Sequence, residues 1–294
     1  MSAGVRSGLA QRVLDAILNG SPETPFGRAR LKAAIEARKL LIRLGDPIVR
    51  FRVGGTDLQL PLSHELPFYR TDHPLYGEAV GRIAAALRGP VVDIGANVGD
   101  TAAIIRAHTD VPLLCVEGDE LFFGLLTRNV DDVSASMAFV EAPSTGHVHR
   151  ERGTARVVPG KGLIRSMPLE DFLWMGFNEP ALIKLDTDGM DVPILLANLR
   201  LLERLRPVLF FEYDPHLGAE PVVFDRLREI GYVTAVVYEN TGEYRETVEL
   251  SDQSRIAAVH AEYTGHGGAR YMDVCVLPAG VEIDRDALRG PEAV

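Results

Sequence analysis

From about residue 78 onward, short apolar runs alternate with amphipathic stretches, and this alternation limits the chain to a narrow set of architectures. Candidate strands lie at 91–94, 113–117, 137–141, 182–186, 208–213, 233–239 and 271–277. Helical periodicity falls between them at 101–108, 119–129, 192–204 and 220–229. Several of the runs are apolar at nearly every position. A strand covered on one face alternates, whereas a strand buried on both faces does not, so these runs predict parallel strands with helices on either side. The expected fold class is α/β, a doubly wound sheet. No helical signal separates the last two candidate strands, which predicts an antiparallel pair at the sheet edge. The segment 143–166 is rich in Gly, His, Arg and Ser and reads as a surface loop or part of a substrate lid.

Ahead of this alternation, residues 9–18 and 27–44 carry helical spacing, and IVRFRV-GG-TDLQLPL reads as a β-hairpin turning at Gly54-Gly55. The second helix sets Leu31, Ala34, Ile35, Leu41 and Ile42 on one side, and Arg28, Arg30, Lys32, Arg38, Lys39 and Arg43 cover the rest. That pattern predicts an amphipathic surface helix with snorkelling cations, in preference to a docking or dimer helix meeting an acidic partner. Residues 1–65 therefore read as an extension and 66–294 as the main domain.

The balance of 31 Lys and Arg against 41 Asp and Glu, a net charge of -10, argues against nucleic acid as a main partner. Two cysteines, Cys115 and Cys275, sit inside apolar runs, too few for a disulfide framework or a cysteine-built zinc site. No apolar stretch approaches the ~20 residues of a bilayer span, and the N-terminus lacks the apolar core of a secretion signal. A cytoplasmic protein without membrane insertion is the expectation.

The clearest chemistry lies in VVDIGANVGDTA, residues 91–102, where a strand enters a glycine-bearing turn and a helix starts near Thr101, after Asp100. In a doubly wound sheet this is where a nucleotide-like ligand binds. A nicotinamide fingerprint fails, because Asn97 and Asp100 stand at the second and third glycine positions after Gly95. No Gly-Lys-Ser/Thr follows, so a phosphate-cradling loop fails too. What remains is an acid two positions before the first glycine, Asp93, ahead of Gly95, Ala96, Asn97 and Gly99. A carboxylate there suits an ammonium group and repels a pyrophosphate. Glu117 ends the next strand, where a carboxylate can accept both ribose hydroxyls. Together the two acids describe S-adenosylmethionine better than NAD or ATP.

DIGANVGDTA, VEGDE, LIKLDTDGMDVPIL (182–195), RPVLFFEYDP (206–215) and YMDVCVL (271–277) occur in the order seen in FkbM-type methyltransferases, which the chain resembles over roughly 66–278. Many relatives read D-V-E-G where this chain reads Asp186-Thr187-Asp188-Gly189. The resemblance implies a class I methyltransferase (Rossmann-like) seven-stranded sheet of order 3-2-1-4-5-7-6 with an antiparallel seventh strand. It also implies S-adenosylmethionine and O-methylation of a sugar, glycoside or other small natural-product hydroxyl.

That order would bring Asp93, Asp186 with Asp188, and Glu212 into one crevice. A neutral hydroxyl needs its proton removed as the methyl bond forms, so Asp188 and Glu212 are candidate bases, with His216 as an imidazole alternative. Lys184, two residues before Asp186 on the same side of the strand, either positions a carboxylate or the acceptor, or makes a structural Lys–Asp pair. Tyr69 and Tyr76 could close over the methionine end of the cofactor. A metal-free site is favoured over a bound Mg2+. The expected partner is a small hydroxylated acceptor, and a homo-oligomer is compatible with the sequence. The competing readings are N-methylation of an amino-sugar or peptide-like acceptor, and a cofactor-binding subunit without chemistry of its own.

Overall fold

The computed structural model describes residues 3–264 and 270–290. Its strands are, in chain order, β1 (Ile48–Val53), β2 (Thr56–Pro61), β3 (Val91–Ile94), β4 (Leu113–Glu117), β5 (Ser134–Met137), β6 (Phe139–Val140), β7 (Thr145–Glu151), β8 (Thr154–Leu163), β9 (Ser166–Met167), β10 (Leu182–Leu185), β11 (Val208–Tyr213), β12 (Tyr232–Glu239), β13 (Tyr244–Glu249) and β14 (Met272–Pro278). The first six helices are α1 (Ala3–Leu18), α2 (Pro25–Arg43), α3 (Leu66–Asp72), α4 (Glu78–Leu87), α5 (Asp100–His108) and α6 (Glu120–Asn129).

Eight strands form the main sheet in the order β13-β12-β14-β11-β10-β3-β4-β5. Neighbours from β11 to β5 are parallel, and β14 runs antiparallel to both β11 and β12. Without β13, this is the class I methyltransferase order 3-2-1-4-5-7-6. Every residue of β3, β4 and β10 is buried, as the unbroken apolar runs require. Burying each large aliphatic side chain in these strands contributes about 1.5–3 kcal/mol.

Several boundaries depart from the expectations. The last two candidate strands do pair antiparallel, but the edge belongs to β13, and a helix, Gln253–Thr264, precedes β14. β13 reads YRETVE and buries only Val248, so its polar residues hid it. The run 137–141 divides into the end of β5 and a separate β6. Segment 143–166 is no irregular loop: β7 and β8 form an antiparallel hairpin. Both strands are largely exposed, so no apolar period marked them.

The N-terminal hairpin turns through Gly54 (φ 55°) and Gly55 (φ 87°), as its sequence predicts. A Cβ at Gly54 would lie 2.3 Å from the Ala103 carbonyl oxygen, because the turn rests on α5. Val49, Val53, Leu58 and Leu60 share one core with Val98, Ile104, Phe122 and Leu125, so the N-terminal hairpin is packed onto α5 and α6.

Candidate active site

The turn after β3 is closed by its neighbour strand. Gly95 and Ala96 both donate their N–H groups to the Val116 carbonyl (2.9 and 3.0 Å), so neither amide faces a ligand. Asn97 adopts a left-handed conformation (φ 49°) and donates its N–H to Glu117 Oε2 at 2.8 Å. Asp119 N–H donates to Glu117 Oε1 at 2.7 Å. Gly99 (φ 91°) starts α5 and packs against Leu126 and Val130. Gly95 has a sterner reason to be glycine: a Cβ there would lie 1.9 Å from the Asp186 carbonyl oxygen, and its φ is 79°. The steric demand comes first from the backbone beyond β10, ahead of any ligand. Gly95→Ala is therefore expected to lower the thermal midpoint as well as ligand affinity, by forcing apart the ends of β3 and β10. A variant with unchanged melting would show that these ends yield freely.

Two adjoining cavities open over this turn, of about 520 Å³ and about 340 Å³. They share Gly95, Asn97, Arg156, Asp186, Asp188 and Leu217. The smaller is a slot walled by Val116, Phe122, Ala138, Phe139 and Val140, with Glu117 at its side. Burial pushes the Glu117 carboxyl up to about 7, against the two backbone N–H groups that lower it. The larger is lined by Tyr69, Tyr76, Asp100, Lys184 and Tyr271, and by the β7–β8 hairpin from His149 to Arg156. The Tyr69 and Tyr76 rings meet edge to face at 4.9 Å, and Tyr69 donates its hydroxyl to Asn240 O at 2.8 Å.

Lys184 lies between two carboxylates, 3.0 Å from Asp93 Oδ1 and 3.2 Å from Asp186 Oδ2, and donates to Gly95 O at 3.4 Å. Burial works against its charge, yet Asp186, Asp93 and Asp100 hold the ammonium above its ordinary value. The structure places Asp93, expected to meet a ligand ammonium, away from both cavities. Its side chain is fully buried beneath Lys184, it lines neither cavity, and apart from that ion pair neither oxygen has a hydrogen-bond partner among the described residues. It supports Lys184 through their ion pair.

Asp188 (φ 51°) lines both cavities, and burial, then Asp186 and Asp191, push its carboxyl up to about 7. Glu212 stands behind, in a narrow crevice with Asp100, Thr101 and Asp273. Burial, with Asp186, Asp191 and Asp273 adding to it, pushes the Glu212 carboxyl up to about 10. His216, the imidazole candidate, is exposed on the turn Pro215–Leu217, its N–H bound to Asp214 Oδ1, and lines neither cavity. Among the described residues no group of three or more His, Cys, Asp or Glu is arranged to hold a metal ion.

The structure also brings in residues that the sequence reading passed over. His64 Nδ1 accepts from Leu66 N–H (3.2 Å), which leaves the proton on Nε2 to be donated to Asn97 Oδ1 (3.2 Å). Asn97 Nδ2 in turn donates to Gly153 O (2.7 Å), and Arg150 pairs with Asp119, so the hairpin is tied to the glycine turn and to the start of α6. Tyr271 and Asp273 come from the start of β14; the polar residue inside YMDVCVL was the one available signal for them.

No family model matches the chain, and no curated protein does. Among solved structures it is similar to a TehB-like SAM-dependent methyltransferase from Corynebacterium glutamicum, at 10% identity over 69% of this chain and 88% of that one, with a TM-score of 0.40. It is similar to the METTL16 MTase domain at 15% identity, over 94% of this chain and 92% of that one, with a TM-score of 0.45. Methyltransferase FkbM from Methylobacillus flagellatus KT shares 17% identity over 49% of this chain and 38% of its own length, with a TM-score of 0.35.

Proposed function

We propose that the protein is an S-adenosylmethionine-dependent methyltransferase of the FkbM type, acting on a hydroxyl of a sugar, glycoside or other small natural product. The observation that carries this reading is the division of one crevice into an apolar slot beside Glu117 and an acidic chamber at Asp186 and Asp188.

The donor set fits the cofactor. Aromatic and aliphatic walls suit an adenine ring, which stacks and needs few polar partners. Each Glu117 oxygen accepts one backbone N–H and keeps a lone pair for a ribose hydroxyl. When bound, S-adenosylmethionine supplies a methyl group activated on a cationic sulfur. The chain's own residues do the rest. Lys184 holds Asp186 at the shared wall, and the tyrosines of the larger cavity exclude water from the reacting atoms. Asp188, raised to about 7, takes the acceptor proton near neutral pH.

Calorimetry with S-adenosylmethionine, S-adenosylhomocysteine and NAD tests the cofactor: the first two are expected to bind and NAD to fail. Mass spectrometry of the protein with S-adenosylmethionine and a cell extract is expected to reveal a product heavier by one CH2. Binding of NAD alone would overturn the reading. Glu117→Ala is expected to raise the apparent KM for S-adenosylmethionine roughly 10–100-fold while kcat at saturation stays within a few fold, because ribose contacts act alike in ground and transition states. A normal KM with a collapsed kcat would remove Glu117 from cofactor binding.

A further inference from the structure

The helix α2 lies far from this chemistry in character. It carries six Lys and Arg and one Glu, on a chain whose net charge is -10. One side packs inward through Ala34 and Leu41, and Arg38 donates to the Leu62 and Ser63 carbonyls at 3.0 Å each. The opposite side is built of two parallel rows. Phe26, Ala33, Leu40 and Leu44 form an exposed apolar row; Phe26 is 79% exposed, Leu40 55% and Leu44 56%. Beside it run Arg28, Lys32, Lys39 and Arg43, all exposed. Their spacings of three to four residues and its multiples keep each row on one line along the helix.

A second feature lies where α1 turns into α2. A cleft of about 740 Å³ is lined by Arg12, Arg30, Thr24 and Phe26, with Asp15, which accepts from Gln11, also on its wall. Neither Arg12 nor Arg30 has an ion-pair or hydrogen-bond partner among the described residues. Two uncommitted guanidinium groups beside the most exposed aromatic ring on the helix suit a phosphate lying next to hydrocarbon.

We infer that α2 and this cleft dock the protein peripherally on an anionic lipid surface. A protein partner would need a groove matched to a convex helix, whereas a bilayer interface offers anions and hydrocarbon side by side along any line drawn across it. The acidic remainder of the chain would be repelled by such a surface, so attraction through the basic row also fixes which side faces the lipid. This docking lies parallel to the bilayer; among the described residues no helix is long and apolar enough to cross it.

The test is co-sedimentation of the full chain with vesicles of phosphatidylcholine containing phosphatidylglycerol, against pure phosphatidylcholine, at low and high salt. Binding is expected only to the anionic vesicles and is expected to be lost at high salt. Phe26→Ser with Leu40→Ser should weaken binding at least roughly ten-fold, and each of Lys32→Gln and Lys39→Gln about five-fold, with thermal midpoints unchanged because all four side chains are exposed. No binding to anionic vesicles, or equal binding by the variants, would overturn the inference. So would a wild-type dimer that Phe26→Ser and Leu40→Ser convert to monomer, since the apolar row would then belong to a second copy.

Discussion

Replacing Lys184 by Met is expected to destabilise the protein by about 3–5 kcal/mol, the range for removing one partner of a buried ion pair. Lys184 is 4% exposed and Asp93 fully buried. Methionine matches the stem in volume, so the loss comes from charge rather than packing. Asp93 would be left with no opposing charge, and it has no hydrogen bond to fall back on. Its carboxyl is already raised in the native protein, burial outweighing Lys184. Without Lys184 it would rise further. An acid raised in the folded state contributes stability that is fully present below its unfolded value and is lost as pH rises through its folded value. The variant should therefore approach the wild type near pH 4 and fall furthest behind above neutrality. Urea denaturation at several pH values checks this, and the double change with Asp93→Asn should recover part of the loss at pH 8. A pH-independent deficit would point to packing instead.

Asp188→Asn is expected to lower kcat by about 10²–10⁴-fold, the usual span of general base catalysis, with cofactor affinity held within a few fold. Asparagine keeps the shape and a residue type that tolerates φ 51°, but it cannot take a proton. In the wild type, kcat/KM should rise with pH through about 7, since the base works only when ionised. The bound sulfonium favours the ionised carboxylate, so the kcat profile should rise at lower pH than kcat/KM. Glu212→Gln discriminates between the two acids. A carboxyl held protonated is mimicked by an amide, so this variant should turn over almost normally. An unimpaired Asp188→Asn enzyme would pass the base role to Asp186, the other carboxylate on the shared wall.

The acids illustrate how far residue order carries. Asp93, Glu117, Asp186, Asp188 and Glu212 were all legible as strand-end carboxylates, but only Glu117, Asp186 and Asp188 line the two adjoining cavities, whereas Glu212 lies in a separate narrow crevice and Asp93 is sealed beneath Lys184. Their separate duties were not legible. Asp93 and Lys184 are paired residues of adjacent strands, in register across β3 and β10, so the ammonium covers the carboxylate. Glu212 lies one strand further over, opposite Asp273 of antiparallel β14. Nothing in the motif RPVLFFEYDP shows that a second carboxylate will face it there.

The doubly wound sheet and the glycine turn followed from sequence alone, because each rests on local or repeating constraints. Strands buried on both faces must be apolar throughout, and a turn that meets another backbone at 1.9 Å from an added Cβ must be glycine. The β7–β8 hairpin, the edge strand β13 and the His64–Asn97–Gly153 chain were decided by tertiary structure. Their residues are largely polar and leave no period; β13 is held by pairing with its neighbour β12, and the hairpin and His64 by contacts 33 to 56 positions away, such as His64 to Asn97 and Asn97 to Gly153. Which carboxylate is open and which is sealed is likewise a property of neighbouring strands, since burial and opposing charge act through space and carry no mark along the chain.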